Sequence, residues 1–210
     1  MTNKNRIYSI INLLLFFILL LAVAVRISAS DVNAAGPWNG YAVYRDGVGI
    51  FNMNDHAALM NKTNKGASEA VLHAPGSNSA VQFGNWAQFL DGNSFICIRK
   101  PKNCSMSSAL RASFVAKGRE LRGISYILLD QIQYAAGNSN LVKPQHITKL
   151  RCDGVIEYVY EWYGYRVGGP NGSWNISINQ WENWSAHSGS AITPRKQRKN
   201  LLTVVPGEPN

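Results

Sequence analysis

The chain has 210 residues, 46% of them hydrophobic, with 21 Lys and Arg against 12 Asp and Glu. Its net charge of +9 falls to +6 once Lys4, Arg6 and Arg26 are set aside. No nucleic-acid motif accompanies that charge, so nucleic acid is excluded as the expected partner, and the remaining length suits one globular domain with a real core.

Lys4 and Arg6 precede an uncharged run of 19 residues, from 7 to 25, centred on leucine and phenylalanine. A basic start followed by an apolar stretch is the build of a secretory signal, and the positive end stays inside. Ser28, Ala29 and Ser30, and again Ala34 and Ala35, are small enough for a signal peptidase. The run is also close to the ~20 residues that span a bilayer, so residues 1–30 read as a cleaved signal peptide or a retained membrane anchor. Either delivers the rest outside the cytoplasm: secreted, periplasmic or anchored facing outward. Residues 31–39 read as a linker.

From residue 40 the pattern is strand-like. Residues 41–44 and 49–51 are short β-rich runs separated by Arg45, Asp46 and Gly47, a turn signal. Residues 56–60, 70–73 and 95–98 are further strand candidates. From Met106 the apolar spacing turns helical, with Leu110, Phe114 and Val115 on one helix and Ile127, Leu128, Ile132 and Ala135 on a second. A third runs from Cys152 to Trp162, with Val155, Ile156, Val159 and Trp162 on one face. Residues 164–192 are rich in Gly, Trp, Asn and Ser and resist assignment, although Trp174, Trp181 and Trp184 suggest packing onto the domain. Residues 193–210, with Arg195, Lys196, Arg198 and Lys199, read as a basic, disordered tail, solvated or drawn to an anionic surface.

Three cysteines stand at 97, 104 and 152. In an oxidising compartment Cys97 and Cys104, which flank a turn-like stretch, are candidates for a disulfide, leaving Cys152 as an intermolecular link or a reactive thiol. Cys152 sits at the expected start of an apolar-faced helix. There the partial positive charge and free N–H groups favour a thiolate and can hold an oxyanion. His56 opens one expected strand and His73 closes the next, so a hairpin would bring the two imidazoles together. A cysteine nucleophile needs a base, and the base needs a polar partner to fix its tautomer. His146 and His187 fall in loop-like segments. One thiolate and two imidazoles are acceptable zinc ligands as well, but the close ligand pairs typical of zinc sites are missing. No metal or cofactor is expected. Sequons at Asn61, Asn103, Asn171, Asn175 and Asn183 matter only in a host that glycosylates.

Asp55-His-Ala-Ala-Leu-Met60, Val71-Leu-His-Ala-Pro75 and Arg151-Cys-Asp-Gly-Val-Ile-Glu-Tyr158 resemble the permuted branch of the NlpC-type cysteine peptidase superfamily. That branch includes the lecithin–retinol acyltransferase-like enzymes. The resemblance covers roughly residues 41–163. It implies an α+β, permuted papain-like domain over residues 40–192, an antiparallel sheet packed against helices, strands first and the cysteine-bearing helix last. It also implies that Cys152 is the nucleophile, His56 the base and His73 the orienting residue. Asp153 departs from the small or hydroxylated residue often found after the cysteine. It would either raise the thiol pKa or cap the helix. The expected activity is that of an exported thiol hydrolase, a peptidase or amidase, cleaving an amide or ester in cell-wall peptides. The alternatives are a lipid acyltransferase or phospholipase-like enzyme, and a non-catalytic, surface-tethered protein that binds through its Trp-rich segment.

Overall fold

The computed structural model describes residues 37–47, 55–135, 142–165, 167, 192–207 and 209. The apolar run at 7–25, residues 31–36 of the expected linker, the strand expected at 49–51, His187, the sequons at Asn171, Asn175 and Asn183 and the Trp-rich stretch at 174–184 lie outside the described residues, while Trp38, near the linker's end, is buried in the domain. No helix among the described residues is long and apolar enough to cross a membrane.

The centre is a six-stranded sheet in the order β4-β3-β2-β1-β5-β9, every neighbouring pair antiparallel. Its strands are β1 (Ala42–Asp46), β2 (Asp55–Met60), β3 (Val71–His73), β4 (Gln82–Gly84), β5 (Phe95–Lys100) and β9 (Thr203–Val205). Side chains on successive strand residues turn to opposite faces, and this sheet buries both. Ala42, Tyr44, Ala57 and Leu59 join one core with Phe114, Val155, Val159 and Tyr160. Val43, Ala58 and Met60 join another with Trp38 and Phe89. That two-sided burial explains why β2 is buried at every position and why Ala57 to Met60 read as a continuous apolar run rather than alternating.

Helix α1 (Trp86–Leu90) starts in a capping box made by Asn85 and Gln88 and supplies Phe89 to the second core. Helix α2 (Ser108–Arg119) starts where the Ser107 hydroxyl accepts from the Leu110 N–H, and helix α3 is Cys152–Trp162. Phe114 of α2 meets Tyr160 of α3 with ring centroids 4.9 Å apart. The class is therefore α+β, an antiparallel sheet packed against helices.

Four expectations need correcting. Residues 127–135 do not form a helix. β6 (Ser125–Tyr126) and β7 (Ile132–Tyr134) flank β8 (Ile147–Leu150) in a small three-stranded sheet. Ile132 and Tyr134 are buried around a half-buried Gln133, so a period of two prevails over the helical spacing. Arg45 and Asp46 are not turn residues but the end of β1, where the Asp46 N–H donates to the Ser94 carbonyl at 2.8 Å. Cys97 and Cys104 are both buried as free thiols. The Cys97 sulfur accepts from Arg99 Nε at 3.2 Å, while the Cys104 thiol turns to the Met106 sulfur at 3.4 Å.

The fourth correction concerns the tail. Residues 192–207 are ordered against the domain. A helical turn at Pro194–Lys196 (α4), capped by the Thr193 hydroxyl, leads into a π-helical turn at Gln197–Leu201 and then β9, the sheet edge beside β5. Basic side chains made this segment look solvated, but two of them, Arg195 and Arg198, pair with the buried Asp55. Asn61 is also 4% exposed, its amide donating to the Glu69 carbonyl and accepting from Arg119 Nε, so that sequon is folded into the structure.

Candidate active site

Helix α3 begins abruptly. Arg151 occupies the N-cap with an extended backbone and no side-chain cap, and its own N–H donates to the Gln131 carbonyl at 3.0 Å. A Cβ on Gly154 would sit 2.3 Å from that same carbonyl oxygen, so glycine lets the first turn lie against the β7 segment. Arg151 and Asp153 form a buried two-point pair, Nε to Oδ1 at 2.6 Å and NH2 to Oδ2 at 3.0 Å. Asp153 thus pairs with the N-cap arginine rather than capping the helix.

This frame holds Cys152, which is 4% exposed. Its sulfur takes backbone hydrogen bonds from Ala57 and Asp153. Burial, and then the Asp153 carboxylate, push the thiol up to about 12 against the opposing pull of those N–H groups and of Arg151. The helix-start argument for a thiolate is therefore overturned in the resting site. Desolvation outweighs the dipole, and the thiol keeps its proton at neutral pH.

The two histidines meet. β2 and β3 are antiparallel neighbours, and His56 Nε2 lies 3.0 Å from His73 Nδ1. Both rings pack near Phe89, at centroid distances of 5.8 and 6.1 Å. Gly84 of β4 closes over the far side of His73, where a Cβ would stand 2.9 Å from Nε2. Burial, His73 and Arg45 hold His56 well below the ordinary imidazole range. Burial and Arg45 bring His73 down to about 4. Both imidazoles are neutral at pH 7, so one nitrogen of the close pair donates and the other accepts.

Cys152 and His56 line one cleft of about 380 Å³ at the end of the sheet. Among the described residues no direct hydrogen bond joins the thiol to His56. Arg45, Tyr126, Ser77 and Pro194 add to the wall. His73 stands behind His56 and does not line the cleft, and neither does His146, which closes a 3-10 turn at Pro144–His146. No group of three His, Cys, Asp or Glu among the described residues could hold a metal ion.

Sequence reasoning missed four contributors. Arg45 stands directly across from His56 in the β1–β2 register and is 8% exposed. An arginine directly after the apolar run at 41–44 was the available signal. Asp55, with a side chain 1% exposed, receives Arg195 Nε at 3.4 Å and also Arg198 Nε, which ties the C-terminal segment beside His56. Gln197 reaches inside. Its amide donates to the Asp153 carbonyl at 3.0 Å and its oxygen accepts from the Tyr44 hydroxyl at 2.6 Å. Gln131 donates to both Asp153 and Glu157, completing a buried polar lattice behind the thiol. Nothing in local spacing could reveal partners 22 to 153 residues apart. No known protein family, curated protein or solved structure matches this chain.

Proposed function

We propose that this protein is a thiol hydrolase of the permuted papain-like type, acting at an ester or amide carbonyl outside the cytoplasm. The observation that carries the reading is that His56, held 3.0 Å from His73, lines the same cleft as the Cys152 thiol. His73 engages Nε2 of His56, which leaves Nδ1 as the atom able to take the thiol proton. The sulfur attacks the carbonyl carbon as that proton moves to His56, directly or through one water. N–H groups at the start of α3 stabilise the developing oxyanion. His56 then hands the proton to the leaving group, and a thioester remains on Cys152. Water attacks the thioester, His56 takes its proton, the acid departs and the thiol re-forms. Because thiol and imidazole are both neutral at rest, proton transfer accompanies attack rather than preceding it. A cell-wall peptide suits this reading of the chain's address. A lipid acyl group is the alternative donor, with transfer to an acceptor in place of water.

One set of observations favours a second reading, a surface-tethered binding protein. The thiol is protonated and no direct hydrogen bond ties it to His56. In that reading the cleft holds a ligand without chemistry. Incubation with p-nitrophenyl acetate separates the two. The hydrolase reading expects p-nitrophenolate release and an acetyl group on the Cys152 peptide, both lost in Cys152→Ala. Full turnover by Cys152→Ala eliminates the mechanism, and the absence of any acetyl-Cys152 in the wild type favours the binding reading.

A further inference from the structure

Among the described residues, the charges of the cleft wall are unequally paired. Arg151 is matched by Asp153 at 2.6 Å. Asp55 is matched twice, by Arg195 and Arg198. Arg45 is different. Its Nε donates to the Phe89 carbonyl at 2.5 Å and its NH1 to the Asp46 carbonyl at 2.7 Å, so two backbone oxygens fix the guanidinium without neutralising it. Asp91 and Asp46 both act on it, but neither closes a tight pair: Asp91 lies 3.8 Å from NH2 with a side chain 79% exposed, a distance and exposure at which pairing is weak, and Asp46 meets the guanidinium through its backbone carbonyl. The guanidinium is thus pre-positioned, largely desolvated and still positive. It stands across the β1–β2 register from His56 and lines the cleft with Cys152.

We propose that Arg45 is a specificity-determining residue, and that the cleft takes an acyl substrate carrying an anionic group, a carboxylate or a phosphate, close to the scissile carbonyl. A guanidinium whose stem is held by backbone carbonyls still offers NH2 donors to one anionic oxygen pair at little further entropic cost. The cation also acts on the machinery around it. Arg45 opposes a second positive charge on either imidazole, and it interacts favourably with charge on the Cys152 sulfur. An anionic substrate group would offset that positive field and ease protonation of His56 during attack. The assignment rests on the hydrolase reading for its substrate. Its test does not require turnover.

Iodoacetate and iodoacetamide are near-isosteric thiol reagents, one anionic and one neutral. Their alkylation rates at Cys152, read on the Cys152 peptide by mass spectrometry, are compared with those of β-mercaptoethanol at the same pH. Arg45 predicts an iodoacetate-to-iodoacetamide ratio at Cys152 about tenfold or more above that of the reference thiol. Arg45→Gln should return the ratio to the reference value, and Arg45→Lys should retain most of it. Raising the salt to ~1 M, which shortens the screening length to about 3 Å, should shrink the ratio in the unaltered protein without any substitution. A wild-type ratio at or below the reference, failure of both reagents to reach Cys152, or a raised ratio unchanged in Arg45→Gln overturns the assignment. The p-nitrophenyl acetate experiment reports separately on whether the site performs acyl chemistry.

Discussion

His56 and His73 are neutral because charging either would place an unhydrated cation beside Arg45 in a buried site. Neutrality is what lets one act on the other. With a single proton between Nε2 and Nδ1, the pair fixes the His56 tautomer as the third member of a triad does. Replacing His73 with alanine is therefore expected to slow acylation of Cys152 by about 10²-fold or more, with the fold intact by circular dichroism. Gly84 provides a second probe at the same scale. A methyl group 2.9 Å from His73 Nε2 must move the imidazole, so Gly84→Ala should lower kcat more than it lowers Tm. This pair was legible in the sequence because His56 opens and His73 closes successive apolar runs, each short enough to be only a strand. The protonation of Cys152 was not legible, since it depends on how deeply the helix start is buried and on the orientation of Asp153.

At the scale of elements, α3 was readable to the residue because its apolar positions recur at three and four and Cys152 follows an extended N-cap. Its seat was not readable, because the Gln131 carbonyl that meets it lies in a segment whose spacing mimics a helix. Gly154→Ala places a carbon 2.3 Å from that rigid backbone oxygen and 3.0 Å from Leu150 Cδ2. It should cost about 1–3 kcal/mol or more in urea unfolding. Gly76→Ala meets nothing within 4 Å and should change stability by less than about 0.5 kcal/mol. The C-terminal segment is the clearest case of charge pattern misleading. Asp55 is the anchor that converts two tail arginines into structural residues. Asp55→Asn should weaken that clasp and expose residues 192–205 to limited proteolysis well before global unfolding. Cleavage no faster than in the wild type would show that β9 and Gln197 suffice to hold the segment.

For the molecule as a whole, titration sets the stability window. His56 and His73 have folded pKa values below the unfolded ~6.5, about 4 for His73. Between those limits the unfolded chain binds protons that the folded chain does not, so stability is full above pH ~6.5 and falls as the pH drops toward 4. Burial raises Glu157 to about 8, with the Gln131 hydrogen bond opposing it. Its contribution has the opposite sign. It is fully present below the unfolded value and is lost as the pH rises through 8. Thermal melts should therefore peak near neutral pH. His56→Gln with His73→Gln should flatten the acid limb, and Glu157→Gln the alkaline one. The α+β class was legible from strands preceding helices, and β9 was not, because its partner strand lies some hundred residues earlier.

The central claim is that His73 acts through His56 on Cys152. A double-variant cycle on the rate of Cys152 acylation by p-nitrophenyl acetate tests it most directly. The claim predicts a loss of about 10²–10⁴-fold in His56→Ala, a substantial loss in His73→Ala, and no further loss when His73→Ala is added to His56→Ala. Losses that multiply in the double variant, or an acylation rate indifferent to His56, would contradict it.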